Sequence, residues 1–216
     1  MFRHISFAAL EYSINRAYQS RLRQRGNNPE GVFWRNSSSQ LARFETLLSI
    51  TKELSPKIKT RIADIGCGYG AMLSFIEHSN YSDNILYEGV DINRDMVKAC
   101  WSKFPDKRHL FRIGRNAQAE VDFSLFSGTF NLCLSNNIGA WEKYIFGNLE
   151  SSWKKSRYGL VLNLLCDDKP NIRNQIYYAN RRTFIARATK LFGPTHAIST
   201  PNVSSDVSFI INKQQS

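Results

Sequence analysis

Apolar positions recur at helical intervals near the start of the chain and switch to strand-like alternation beyond Pro56. Across 5–25, Phe7, Leu10, Ile14, Ala17, Tyr18 and Leu22 keep to one face of a 3.6-residue period, which predicts a helix. Gly26-Asn27-Asn28-Pro29 then stops it. A second helix is predicted over 39–54, with Leu41, Phe44, Leu47, Leu48 and Ile50 as its apolar face. From there the pattern predicts strands at 61–65, 86–91, 109–113, 130–135 and 159–166. Helices are predicted at 71–78, 94–104, 140–155 and 181–192, with a helix or turn near 120–126. Strands alternating with helices predict an α/β fold with a parallel sheet covered on both faces. Two last strands, near 195–200 and 207–212, have no helix between them and are expected to pair as an antiparallel hairpin at one edge. We expect a single domain over 1–216, with a helical lid at 1–57 and an α/β core at 58–216.

Composition narrows the class. No apolar run approaches the roughly 20 residues that span a bilayer, and the first 25 residues lack a small-residue cleavage site, so no membrane insertion and a cytoplasmic protein are expected. Cys67, Cys100, Cys133 and Cys166 lie far apart without the spacing of a zinc site, which predicts reduced core thiols and no metal. The formal net charge is +11. Its excess is spread over small clusters at 16–25, 154–157 and 181–187, with no block of cations interleaved with aromatics. That distribution suits a basic surface attracting an anionic small-molecule acceptor, and it leaves nucleic acid open as a partner.

The chemistry concentrates in Asp64-Ile65-Gly66-Cys67-Gly68-Tyr69-Gly70. A buried strand is expected to end at Ile65, and Gly66, Gly68 and Gly70 to turn the backbone into a helix. Without Cβ atoms the turn can adopt positive φ and let a ligand lie against it. The spacing is G-x-G-x-G rather than the G-x-G-x-x-G of dinucleotide binders, and an acid precedes the first glycine. An acid there repels a pyrophosphate and suits a cationic, phosphate-free ligand such as S-adenosylmethionine. About twenty residues on, Tyr87-Glu88-Gly89-Val90-Asp91 reads as the next strand. An acid at its carboxyl end can bind both hydroxyls of a ribose. Glu88 is the alternative acid, and strand alternation favours Asp91.

Together these segments resemble the class I S-adenosylmethionine-dependent methyltransferase superfamily, over about 61–213. The resemblance implies a Rossmann-like doubly wound sheet of seven strands, mostly parallel with the C-terminal antiparallel hairpin. It implies that Gly66, Cys67 and Gly68 line the amino-acid end of the cofactor and that Asp64 helps hold its ammonium group. Asp91 would take the ribose and Ile92 pack on the adenine. The loop Gly114-Arg115-Asn116-Ala117-Gln118 stands where the superfamily usually places an acid near the adenine amine, and Asn116 or Gln118 offers a carbonyl there instead. The strand at 130–135 would bring Ser135 and Asn136 to the methyl-donor cleft. Small-molecule members often carry a Trp, a Gln and an Arg-Phe ahead of the glycine motif. By that likeness Trp34 is a lid aromatic and Arg43 a partner for the cofactor carboxylate. Neither the Asn/Asp-Pro-Pro-Tyr/Phe motif of exocyclic-amine methylases nor the Pro-Cys pair of cytosine-carbon methylases is present. No histidine falls in a catalytic motif, and no catalytic residue is assigned.

The expected activity is methyl transfer to an oxygen or nitrogen of a small-molecule acceptor. The alternatives are a methyltransferase acting on RNA or protein and a cofactor-binding scaffold without catalysis.

Overall fold

The computed structural model describes residues 7–26, 28–32, 37–201 and 205–214. Helices α1 (Phe7–Arg25) and α2 (Ser37–Leu54) precede the sheet, joined through a 3-10 turn at Pro29–Val32. Then follow β1 (Thr60–Ile65), α3 (Ala71–Glu77), β2 (Ile85–Asp91), α4 (Arg94–Lys103), β3 (Phe111–Ile113), β4 (Val121–Phe126), α5 (Ile138–Trp153) and β5 (Ser156–Leu165). The chain continues through β6 (Asn171–Arg173), β7 (Ile176–Tyr178), α6 (Arg181–Leu191), β8 (Thr195–Ser199) and β9 (Asp206–Asn212).

Seven strands form one sheet in the order β3-β2-β1-β4-β5-β9-β8. The first five run parallel, and β9 is antiparallel to both β5 and β8. Side-chain alternation divides the core into two layers. Ile62, Phe123, Leu125 and Val161 pack against α2, α3 and α4 on one face. Ala63, Ile65, Leu160, Leu162 and Leu164 pack with α5 and α6 on the other, where Leu10 of α1 joins them. Three helices start on an asparagine whose side chain accepts an N–H of the first turn: Asn93 before α4, Asn137 before α5 and Asn180 before α6. Such caps satisfy donors that the helix itself cannot.

The predicted architecture holds, with one displaced element. The fourth strand is Val121–Phe126, read from sequence as a helix or turn, and all six of its residues are buried between β1 and β5. The apolar run 130–135 is not a sheet strand. It pairs instead with a small hairpin that the pattern did not reveal, β6–β7: Cys133 N–H donates to Gln175 O at 2.7 Å and Tyr177 N–H to Asn131 O at 2.8 Å. Two adjacent apolar runs competed for one place, and the run that aligns with Ile62–Asp64 of β1 occupies it.

Strand order reverses between β1 and β4, and the carboxyl ends of β1, β2 and β4 open there into a crevice. Such a switch point is where open α/β sheets bind ligands.

Candidate functional site

The turn after β1 is shaped by its glycines. Gly66, Gly68 and Gly70 take φ values of 80°, 55° and 77°, which L side chains rarely adopt. Their surroundings differ. A Cβ on Gly66 would meet Thr129 Cγ2 at 2.6 Å, and one on Gly70 would meet Phe104 at 2.8 Å, so both positions need close packing. A Cβ on Gly68 would meet only Val32, at 3.6 Å, and Gly68 borders the cavity. The turn is clamped to β2 by Gly66 N–H and Cys67 N–H, which both donate to Val90 O at 2.7 and 3.1 Å.

Two buried carboxylates face this turn. Asp64 accepts the Tyr87 hydroxyl at 2.8 Å. Burial pushes its pKa up to about 7, the Tyr87 bond opposing and the nearby Asp91 adding to the rise. Asp91 accepts Gly68 N–H at 2.9 Å on one oxygen and Asn93 N–H at 2.7 Å on the other. Burial lifts Asp91 to about 6 against those two bonds. Both acids line a cavity that, with its open mouth, encloses about 790 Å³. Its wall is completed by Ile14 and Tyr18 of α1, Gln40 and Phe44 of α2, Ser127 and Thr129 after β4, and Tyr144 of α5. Among the described lining residues none is Lys, Arg or His, so none of these residues gives the two acids a counter-ion. The hydroxyls of Tyr18 and Tyr144 are pushed well above the usual tyrosine range by burial, with Asp91 adding to both. Both hydroxyls therefore keep their protons at neutral pH.

The structure thus gathers Asp64, Gly66, Cys67, Gly68, Asp91 and Ile92 around one cavity. Six other expected positions lie elsewhere. Arg43 is turned into the core, where its Nε pairs with Asp206 Oδ2 of β9. Asn116 Oδ1 accepts the Ser152 hydroxyl at 3.1 Å, and Ala117 packs in the core. Ser135 Oγ caps Asn137 N–H at 3.0 Å, and Asn136 is exposed. Ser135 and Asn136 follow the displaced run at 130–135, which is why they miss the cleft. Gly70 supports the start of α3 from behind the wall, and Trp34 lies outside the described residues.

The place expected for Ser135 and Asn136 is taken by Ser127-Gly128-Thr129, at the end of the true β4. This loop is anchored by Thr129 Oγ1, which donates to Ile65 O at 2.7 Å, and by Gly128 N–H, which donates to Asn163 Oδ1 at 2.8 Å. Asn163 Nδ2 in turn donates to Asp206 Oδ1 at 3.0 Å. A buried polar chain, Arg43–Asp206–Asn163–Gly128, therefore runs from α2 through β9 and β5 to the cavity wall. A Ser-Gly-Thr following the alternating segment Val121-Asp122-Phe123-Ser124-Leu125-Phe126 was the available signal for it.

Above the cavity, two of the described polar contacts help hold α1. Glu11 receives both arms of the Arg115 guanidinium, the Nε arm at 2.7 Å, and Asn15 O accepts Asn93 Nδ2 at 3.3 Å. Gln40, on α2, accepts the Tyr69 hydroxyl at 3.2 Å. Gln40 is the glutamine of the Trp, Gln and Arg-Phe likeness and Tyr69 lies inside the glycine motif, whereas alternation and motif reading did not single out Asn15 or Tyr144, because both reach the site only through tertiary packing.

A scan against protein-family models finds no match. The chain is 31% identical over 122 residues to Rv1506c of Mycobacterium tuberculosis, a protein named as a methyltransferase, spanning 55% of this chain and 72% of that one. Its fold matches magnesium protoporphyrin IX methyltransferase from Synechocystis PCC 6803 with bound SAM, with a TM-score of 0.60 at 11% identity over 99% of this chain and 100% of that one. A DhpI–SAH complex matches with a TM-score of 0.59 at 11% identity, covering 95% and 98% of the two chains. The chain belongs to the class I, Rossmann-like superfamily of methyltransferases, enzymes that use S-adenosylmethionine as cofactor.

Proposed function

We propose that the cavity holds S-adenosylmethionine and that the protein transfers the cofactor's methyl group to an oxygen or nitrogen of a small-molecule acceptor. The observation that carries this reading is the pair of buried acids, Asp64 and Asp91, placed on either side of a glycine turn at the switch point of the sheet. Both carboxylates are short of solvent, which raises both pKa values, and the charge of Asp91 raises that of Asp64 further. A ligand that is cationic at one end and a ribonucleoside at the other relieves both problems. A pyrophosphate would aggravate them. The donor set therefore fits S-adenosylmethionine.

In this reading Asp64 holds the ammonium group, and the Tyr87 hydroxyl that donates to its carboxylate keeps it oriented. Asp91 keeps lone pairs for the ribose hydroxyls after taking two backbone N–H groups. Gly68 leaves room for the ligand beside the backbone, and Ile92 and Met96 supply apolar surface for the base. When bound, S-adenosylmethionine supplies a methyl group already activated on a sulfonium. The chain's own part is to align the acceptor, exclude water and donate hydrogen bonds from Tyr18 and Tyr144. Small-molecule specificity is supported by the helical cover that α1 and α2 form over the cavity.

Calorimetry with S-adenosylmethionine and S-adenosylhomocysteine tests the first half. Heat of binding is expected for both, and silence with both would sink the reading. A panel of small acceptors, followed by mass spectrometry for a gain of one methyl group, tests the second half. The net charge of +11 favours one rival, an RNA or protein acceptor. RNA affinity that falls steeply with added salt, accompanied by RNA methylation, would replace the small-molecule reading.

A further inference from the structure

Two polar atoms on the cavity wall have no hydrogen-bond partner among the described residues: Oδ1 of Asn15 and Oγ of Ser127. Buried acceptors are nearly always paired, and one left open inside a binding cavity marks where a ligand donor belongs. Asn15 lies on the inner side of α1. Its own backbone carbonyl is bonded to Asn93, two residues past Asp91. One turn earlier on α1, Glu11 is bonded to Arg115 in the loop after β3. The helix therefore crosses the half of the cavity bounded by Asp91, Ile92 and Asn93, where the nucleoside end of the cofactor belongs.

No residue of the loop 114–118 after β3 lines the cavity. Asn116 Oδ1 is taken by Ser152, and Ala117 is in the core. Gln118 is exposed and off the cavity wall, with its backbone N–H given to Glu88 at 2.9 Å. An adenine ring carries an exocyclic amine with two protons to donate, and the open carbonyl of Asn15 is complementary to it.

We infer that Asn15 reads the adenine amine, so that the base is recognised by the covering helix α1 rather than by the loop after β3. The inference rests on the cofactor reading above and refines it. It makes base recognition and the seating of α1 a single event, because the residue that senses the amine belongs to the element that covers it.

The test compares S-adenosylhomocysteine with S-inosylhomocysteine, in which a carbonyl oxygen replaces the amine and faces Asn15 as a second acceptor. Wild-type protein is expected to favour the adenine ligand by about ten-fold or more in calorimetry. Asn15→Ala removes the side chain while keeping the backbone bond to Asn93. It is expected to weaken the adenine ligand by about ten-fold, to leave the inosine ligand unchanged, and so to erase the preference. Asn15→Asp, which still presents an acceptor, is expected to restore it. A preference that survives in Asn15→Ala overturns the inference, as does an equal loss for both ligands. Wild-type protein that binds neither ligand overturns the cofactor reading, and this inference with it.

Discussion

The carboxylate of Asp91, at the end of β2, accepts the backbone N–H of Gly68 across the turn that follows β1, at 2.9 Å. The acid assigned to the ribose therefore also fixes the floor against which the ligand lies. Asp91→Ala removes both contributions and frees the N–H of Asn93 as well. The expected result is a loss of S-adenosylhomocysteine affinity of at least 10–100-fold, as befits hydrogen bonds to a charged group. Thermal unfolding should also fall by a few degrees. Calorimetry and a melting curve on the same sample check this, and unchanged affinity would remove Asp91 from the site.

The pH dependence has a definite sign. Asp64 and Asp91 titrate near 7 and near 6 in the ligand-free fold, above the ordinary value of 3.8. A carboxyl raised in this way stabilises the fold fully while protonated, below about pH 4, and that contribution is lost as pH climbs through 6 and 7. The cationic ligand needs the deprotonated acids, so its affinity should rise over the same interval. Asp64→Asn keeps an acceptor for Tyr87 but removes one charge. It should melt higher than wild type at pH 8 and bind more weakly, with a flatter pH profile. Titrations at pH 5.5, 7 and 8.5 decide the matter.

Arg43 and Asp206 form a buried ion pair, and even beside the arginine the burial of Asp206 holds its pKa above the usual carboxylate range. Arg43→Met leaves that carboxylate unpaired in the core. A destabilisation of about 3–5 kcal/mol is expected from urea unfolding. Among the described contacts Arg43 is linked to the cavity through Asp206, Asn163 and Gly128, so ligand affinity in the folded fraction should change far less than in Asp91→Ala. A specific collapse of affinity without loss of stability would return Arg43 to the role of a direct cofactor contact.

The glycines of the turn should separate by what surrounds them. Gly66→Ala drives a methyl group into Thr129 and is expected to destabilise the fold strongly. Gly68→Ala has room, with only Val32 nearby. It should cost only the strain of a positive φ, roughly 1–2 kcal/mol, while the added methyl intrudes on the ligand's space. Denaturant midpoints and binding constants for the two variants should therefore rank in opposite order relative to their folded stability.

Much of the fold was legible because alternation and helical period leave one arrangement open when five strands alternate with helices. The turn and its two acids were legible because Asp64, the three glycines and Asp91 sit at fixed offsets within thirty residues, where local geometry dominates. The fourth strand was not. Val121–Phe126 and the run at 130–135 carry similar apolar character, and only register against Ile62–Asp64 distinguishes them. Misplacing it carried Ser135 and Asn136 into the site and left Ser127-Gly128-Thr129 out. The pairing of Arg43 was hidden for another reason. A helix face shows which residues turn inward but not which of them meets a buried acid 163 residues away. Asn15 and Tyr144 needed the same long-range information.

The covering helix α1 buries only Leu10 and Glu11, and Arg16, Arg23 and Arg25 are exposed along it. So little embedded surface means that this helix opens well before the rest of the protein unfolds. Trypsin should therefore nick the empty protein first within residues 16–25. If a bound molecule fastens α1 through Asn15, the half-life of the intact chain becomes a gel-based readout for trial ligands, usable before any acceptor is known.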